Sequence, residues 1–126
     1  METKGVLVAD LYALIASEDK EDKALLDSLK SVFIEGWVRT NRDNGSIGFI
    51  ALNDGSCFKN VQLVYGENVQ PDYKTLSHVN TGASLGVIGD LVLTPEAKQP
   101  FEIRVKEFIV EGEVAGDYPL QKKAQS

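Results

Sequence analysis

The amino-acid sequence predicts a mainly β fold: a five-stranded Greek-key barrel with a short helix between its third and fourth strands, preceded by an N-terminal helical extension. Three observations carry this expectation. The apolar period changes at Val32 from three- and four-residue spacing to strand-like runs. The turn signals Asn44-Gly45 and Asn53-Asp54-Gly55-Ser56 cut the next stretch into three strands. From Phe101 to Lys106, apolar and charged side chains alternate strictly.

Leu7, Leu11, Leu14 and Ile15 recur at helical spacing, and Leu25, Leu26 and Leu29 do so after the charged run from Ser17 to Lys23. That run reads as a solvated turn and helix start, with Ser17 a candidate N-cap and acidic residues near the positive helix end. Val32 to Thr40 is the first barrel strand, rich in β-branched and aromatic residues. Ile47 to Leu52 is the second and Asn60 to Tyr65 the third. Pro71 to Val79 reads as a short helix, with the proline in its first turn and Tyr73, Leu76 and Val79 at three-residue steps. Ser84 to Leu93 is a fourth strand, where Gly86 and Gly89 suit bends or close backbone approach. In the fifth, Phe101, Ile103 and Val105 face one way and Glu102, Arg104 and Lys106 the other. The order β-β-β-helix-β-β is the layout of an OB-fold, whose second and third strands form a ligand face. An open five-stranded α+β sheet is the competing architecture.

The 126 residues carry a formal charge of −6, distributed as −3 over residues 1–31, 0 over 32–66, −2 over 67–100 and −1 over 101–126. This argues against coating nucleic acid or an anionic membrane by bulk attraction, and leaves room for a local site. A lone cysteine, Cys57, and no visible targeting or membrane-spanning segment point to a reduced, cytoplasmic protein. Catalytic signals are few. The single histidine, His78, has no spacing that would join it to Cys57 or a serine, and reads as a surface or packing residue. One Cys and one His fall short of a zinc set, no glycine precedes a lysine as in a P-loop, and no G-x-G-x-x-G occurs, so no metal or cofactor site is expected in this chain.

A binding face is better supported. If Ile50, Leu52, Val61 and Leu63 fill the barrel, Phe49 and Gln62 stand together outside it. An outward ring is a stacking platform for a base, and an outward amide donates and accepts towards a base edge. The alternative is that Phe49 belongs to the core and Gln62 is merely solvated. Arg39 and Arg42, around the first hairpin, are placed to hold phosphates or bases, or simply to solubilise. Glu102, Arg104 and Lys106 border the same groove or form an ordinary wet face. Trp37 reads as core rather than as a platform, because a tryptophan buries so much apolar area.

Five ordered motifs carry a resemblance. They are Gly36-Trp37-Val38-Arg39-Thr40-Asn41-Arg42-Asp43, then Gly48-Phe49-Ile50-Ala51-Leu52-Asn53-Asp54-Gly55-Ser56, then Asn60-Val61-Gln62-Leu63-Val64, then Gln99-Pro100-Phe101-Glu102-Ile103, and Asp117-Tyr118-Pro119-Leu120-Gln121-Lys122-Lys123. Together, from about Val32 to Lys123, they resemble the N-terminal anticodon-binding domain of asparaginyl-tRNA synthetases. The ending is closer to these than to the aspartyl or lysyl enzymes that share the fold. The resemblance implies an OB-fold over residues 32–116 that reads a tRNA anticodon stem-loop, by this likeness that of asparagine tRNA. It implies that Phe49 stacks on the middle anticodon base, that Gln62 hydrogen-bonds it, and that Arg42 and Glu102 take part in recognition. Residues 1–31 form an extension to which no function carries over, and residues 117–126 are expected to begin a linker.

Where the family continues through an Arg-His pair into a class II catalytic domain, Ala124 and Gln125 stand here. ATP and magnesium are therefore expected only with that absent domain, as is the homodimer of the full-length enzyme, and the chain itself is expected to perform no chemistry. The competing readings are a general single-stranded nucleic acid binder, a protein-interaction module using the acidic helices, and a small hydrolase.

Overall fold

The computed structural model describes residues 3–112. Its elements are β1 (Thr3–Gly5), α1 (Val8–Ala16), α2 (Lys20–Ser28), β2 (Ser31–Asp43), β3 (Ile47–Asn53), β4 (Val61–Gly66), α3 (Tyr73–Ser77), β5 (Ser84–Leu93) and β6 (Phe101–Gly112). The strands run in the order β1-β2-β3-β4-β6-β5, and β5 pairs back onto β2. Strands β2 to β6 thus close a five-stranded barrel in which only β4 and β6 are parallel neighbours. Closure is the expected OB-fold and rules out the open sheet. The Lys-Lys ending and the expected linker lie outside the described residues.

Closure also explains where the strands run past their expected ends. Strand β2 pairs with β5 through Ser31–Trp37 and with β3 through Trp37–Asp43. Asn41, Arg42 and Asp43 have little intrinsic strand preference, yet their partners Ile50, Phe49 and Gly48 hold them in the ladder. Strand β6 likewise continues to Gly112 because β5 pairs with it along its whole length. The three-residue β1 has no alternation to announce it and adds in parallel to the start of β2.

Period-two alternation fills the interior. Val32, Ile34, Val38, Ile50, Leu52, Val61, Leu63, Leu85, Val87 and Ile103 all point inward and are buried. Tyr65 also points inward, and its ring lies over Gly48, where a Cβ would come within 2.0 Å of Cζ. The ring needs the missing side chain. Gly89 serves a second close approach, since a Cβ there would sit 2.4 Å from the Arg104 carbonyl oxygen beside an irregularity in the β5–β6 register.

Helices plug the two ends. Val8 and Leu11 of α1 are fully buried in the barrel core, and Tyr12 meets Phe101 edge-on with centroids 5.0 Å apart. Helix α1 has no cap from its own sequence at Leu7. Its first amides instead donate into the β3–β4 loop, Val8 to Asp54 Oδ2 at 2.8 Å and Ala9 to Ser56 Oγ at 2.9 Å. Burial raises the Asp54 carboxyl, but hydrogen bonds from Ser56 and from the Val8 amide outweigh it and hold the group below the usual carboxylate range.

At the opposite end, α3 buries Leu76, with Val79 behind it. The Asn41 amide donates to the carbonyls of Leu76 (2.9 Å) and Val79 (3.0 Å), and the Tyr65 hydroxyl donates to Asn41 Oδ1 at 2.8 Å. Burial, reinforced by the nearby Asp43 carboxylate, pushes the Tyr65 hydroxyl up to about 12.

Two helix starts differ from the sequence expectation. Asp19, not Ser17, caps α2 by accepting from the amides of Glu21 and Asp22, because Ser17 is already the C-cap of α1. Pro71 precedes the α3 cap, Asp72, rather than sitting in the first turn. The chain at Gln70 is held to the sheet by bonds with Lys106 and Phe108, which delays the helix.

Two outcomes test this packing. Gly48→Ala should lower stability by roughly 1–3 kcal/mol, the usual range for overpacking, in a denaturant titration. Because the Asp54 carboxyl is depressed on folding, its contribution is complete above the ordinary carboxylate pKa of about 3.9 and is lost as pH falls through the lower folded value. Asp54→Ala should cost about 1 kcal/mol near neutrality, and denaturation measured against pH should show a weaker acid dependence than the parent chain.

Candidate nucleic-acid interface

The residues of β3 that point away from the core, Ile47, Phe49, Ala51 and Asn53, form the spine of one continuous outer face. Phe49 is 38% exposed while its neighbours Gly48 and Ile50 are buried, so the ring stands outside the barrel. Its register partners are Arg42 on β2 and Val64 on β4, and Val64 is in turn opposite Arg104 on β6. Residues directly opposite share a face, so Arg42, Phe49, Val64 and Arg104 form one row across four strands. The adjacent row is Thr40, Ala51 and Gln62, which sets Gln62 diagonally beside Phe49. Of the two sequence readings of Phe49, the structure realises the outward one.

The charges on this face differ in availability. Arg104 Nε donates to the Glu102 carboxylate at 2.9 Å, and Lys106 Nζ lies 3.2 Å from Asp90 Oδ1. Both are engaged. By contrast, among the described residues the guanidinium groups of Arg39 and Arg42 and the amide of Gln62 make no hydrogen bond or ion pair. The outer face therefore presents a ring, an amide and two arginines that are uncommitted within these residues, with Glu102 half-buried and fixed by Arg104.

Trp37 corrects the sequence expectation. It is 52% exposed and pairs with Asn53, which places it on the same outer face as Phe49 rather than in the core. The signal was present: Val32, Ile34 and Val38 alternate inward, which leaves the odd positions outside. The size of the side chain pointed the other way. Arg39, another odd position, is outward by the same parity, and the irregularity between Val38 and Thr40 shifts that parity so that the even positions Thr40 and Arg42 also reach the outer face. Phe58, in the β3–β4 loop, is fully exposed, and no periodicity singles out a lone apolar residue in a loop.

Cys57 is half-buried in that loop, whereas His78 follows α3 at the other end of the barrel with Nδ1 2.8 Å from the Lys74 carbonyl oxygen. The two are not brought together. Among the described residues no three His, Cys, Asp or Glu side chains gather where a metal ion could be held, and no helix is long and apolar enough to cross a membrane.

A family profile described as an OB-fold nucleic acid binding domain, named for the tRNA anti-codon, matches residues 32–111. An asparagine–tRNA ligase of Clostridium perfringens strain 13 is 53% identical over 94 residues, 75% of this chain and 20% of that protein. One from Clostridium kluyveri is 46% identical over 120 residues, 95% of this chain and 24% of that protein. The crystal structure of asparaginyl-tRNA synthetase from Pyrococcus horikoshii superposes with a TM-score of 0.60 at 26% identity, over 68% of this chain and 20% of the other. The chain spans about a fifth of the length of the relatives it matches.

Since Arg42 and Gln62 make no side-chain bonds within the described residues, Arg42→Ala and Gln62→Ala should each change stability by no more than about 0.5 kcal/mol in thermal or denaturant unfolding.

Proposed function

Because the chain belongs to the tRNA anti-codon family of OB-fold nucleic acid binding domains, we propose that it is the anticodon-reading domain of an asparagine–tRNA ligase. The observation that best supports this reading is the row of Arg42, Phe49, Val64 and Arg104 with Gln62 beside it. A single-stranded loop laid across the strands meets the Phe49 ring first, and the middle base stacks on it. Stacking alone discriminates poorly, because every base has a π-face. Discrimination falls to Gln62, whose amide both donates and accepts, so that a base with the wrong edge leaves one of its groups unpaired. Arg42, in the row of Phe49, neutralises a phosphate or grips a base edge. Glu102, held by Arg104, offers a fixed acceptor to an amino group and keeps phosphates away from that position.

In this reading the chain performs no chemistry. ATP and magnesium belong with a catalytic domain. Homodimerisation is assigned to the full-length enzyme and the cytoplasm to its place of action.

Binding of asparagine-tRNA anticodon stem-loops, and of versions changed at the middle base, tests the proposal. The parent chain should prefer the cognate loop. Phe49→Ala should weaken binding by the equivalent of about 1–3 kcal/mol, and Gln62→Ala should level the middle-base preference. Equal affinity for all loops, or for none, would sink the reading. With Arg39 and Arg42 each neutralising one phosphate, the log–log salt dependence should have a slope of roughly −1.4.

A further inference from the structure

We propose that Trp37, Arg39 and Phe58 form a second base-stacking station on the same face, which takes a nucleotide flanking the bases read by Phe49 and Gln62. The inference rests on the anticodon-loop reading above and extends it to positions that neither residue can reach. Trp37 and Phe49 belong to one outer face by register, through Asn53 and Arg42 respectively. Asn53 lies four residues beyond Phe49 on β3, about 13 Å at roughly 3.3 Å per residue. A single strand stacked at about 3.4 Å per nucleotide covers that span in about four nucleotides, and a splayed one in fewer. One loop can therefore touch both stations.

The site has the components that single-stranded recognition uses. A groove of about 580 Å³ is lined by Arg39, Asn53, Gly55, Cys57, Phe58 and Asn60 among others. Phe58 presents its whole ring to solvent at 104% relative exposure, and Trp37 half of its own. Arg39 lines this groove with Phe58 and its guanidinium has no partner among the described residues, while Trp37 borders the groove through Gly55, a set that suits one base face and one phosphate.

The loop is also held in shape. The Asn53 amide donates to the Cys57 carbonyl (3.3 Å) and to Asn60 Oδ1 (3.0 Å), and Asp54 and Ser56 are tied to the start of α1. Gly55, at φ +83°, brings the turn against Trp37, where even a Cβ would lie 3.4 Å from Cζ3. The station is thus presented by a braced turn, which reduces the ordering cost of stacking on it.

Trp37 is the only tryptophan in the chain, so its fluorescence reports on this station alone. Titration with the cognate stem-loop should quench it with the same midpoint as an independent binding measurement. Phe58→Ala, a change at a fully exposed position, should weaken stem-loop binding roughly 5- to 100-fold while leaving the ratio between cognate and middle-base variants unchanged. Unchanged tryptophan fluorescence, together with parental affinity in Phe58→Ala, would overturn the proposal while leaving the Phe49 and Gln62 reading intact, provided the parent chain still discriminates. Failure of the parent chain to bind any stem-loop would overturn both.

Discussion

One strand that pairs on both edges holds the rest of the molecule in place. β2 gives its first half to β5 and its second half to β3, and Trp37 is the residue at which the two ladders meet. At that crossing the strands come so close that a Cβ on Gly36 would sit 2.4 Å from the Asn53 carbonyl oxygen. The hydrogen-bonded circuit closes there, so β3 and β4 are interior strands with both edges paired. Their outward side chains then project from strands with partners on both sides, which favours holding a ring and an amide at fixed separation.

The same closure sorts the chemistry. Each strand that crosses the face also lines the core, so alternate residues answer to different demands: Ile50, Leu52 and Leu63 to packing, Phe49 and Gln62 to whatever lies outside. Charge follows the same division. The acidic excess sits mainly on the N-terminal segment and beyond the first three barrel strands, while the segment that carries Arg39, Arg42, Phe49 and Gln62 is neutral overall. A polyanion approaching this protein is not drawn by its net field. It can be held only where ring, amide and guanidinium coincide, so that selectivity comes from contact rather than from long-range attraction.

Much of this is legible in the amino-acid sequence. The turn at Asn44-Gly45, the alternation from Phe101 to Lys106 and the apolar sets of β3 and β4 specified the barrel order and the outward pair, because local pattern and global fold agree there. What stayed hidden required distant partners. The extension of β2 to Asp43 is imposed by β3, the start of α3 is delayed by bonds between Gln70 and β6, and the cap of α1 comes from residues nearly fifty positions away. Trp37 differs for another reason: the apolar area of its ring predicts burial, whereas the parity of its strand sets it outside.

The borrowed cap on α1 has a consequence for how the molecule opens. A helix capped by its own neighbours can melt and re-form without disturbing anything else. Here, releasing α1 strands the Val8 and Ala9 amides and the Asp54 carboxylate at once, and uncovers the core around Leu11. The helix and the β3–β4 loop therefore belong to one cooperative unit, with a shared free energy of opening. By linkage, anything that binds the loop only in its closed form must also slow hydrogen exchange at the first turn of the helix, although it never touches it.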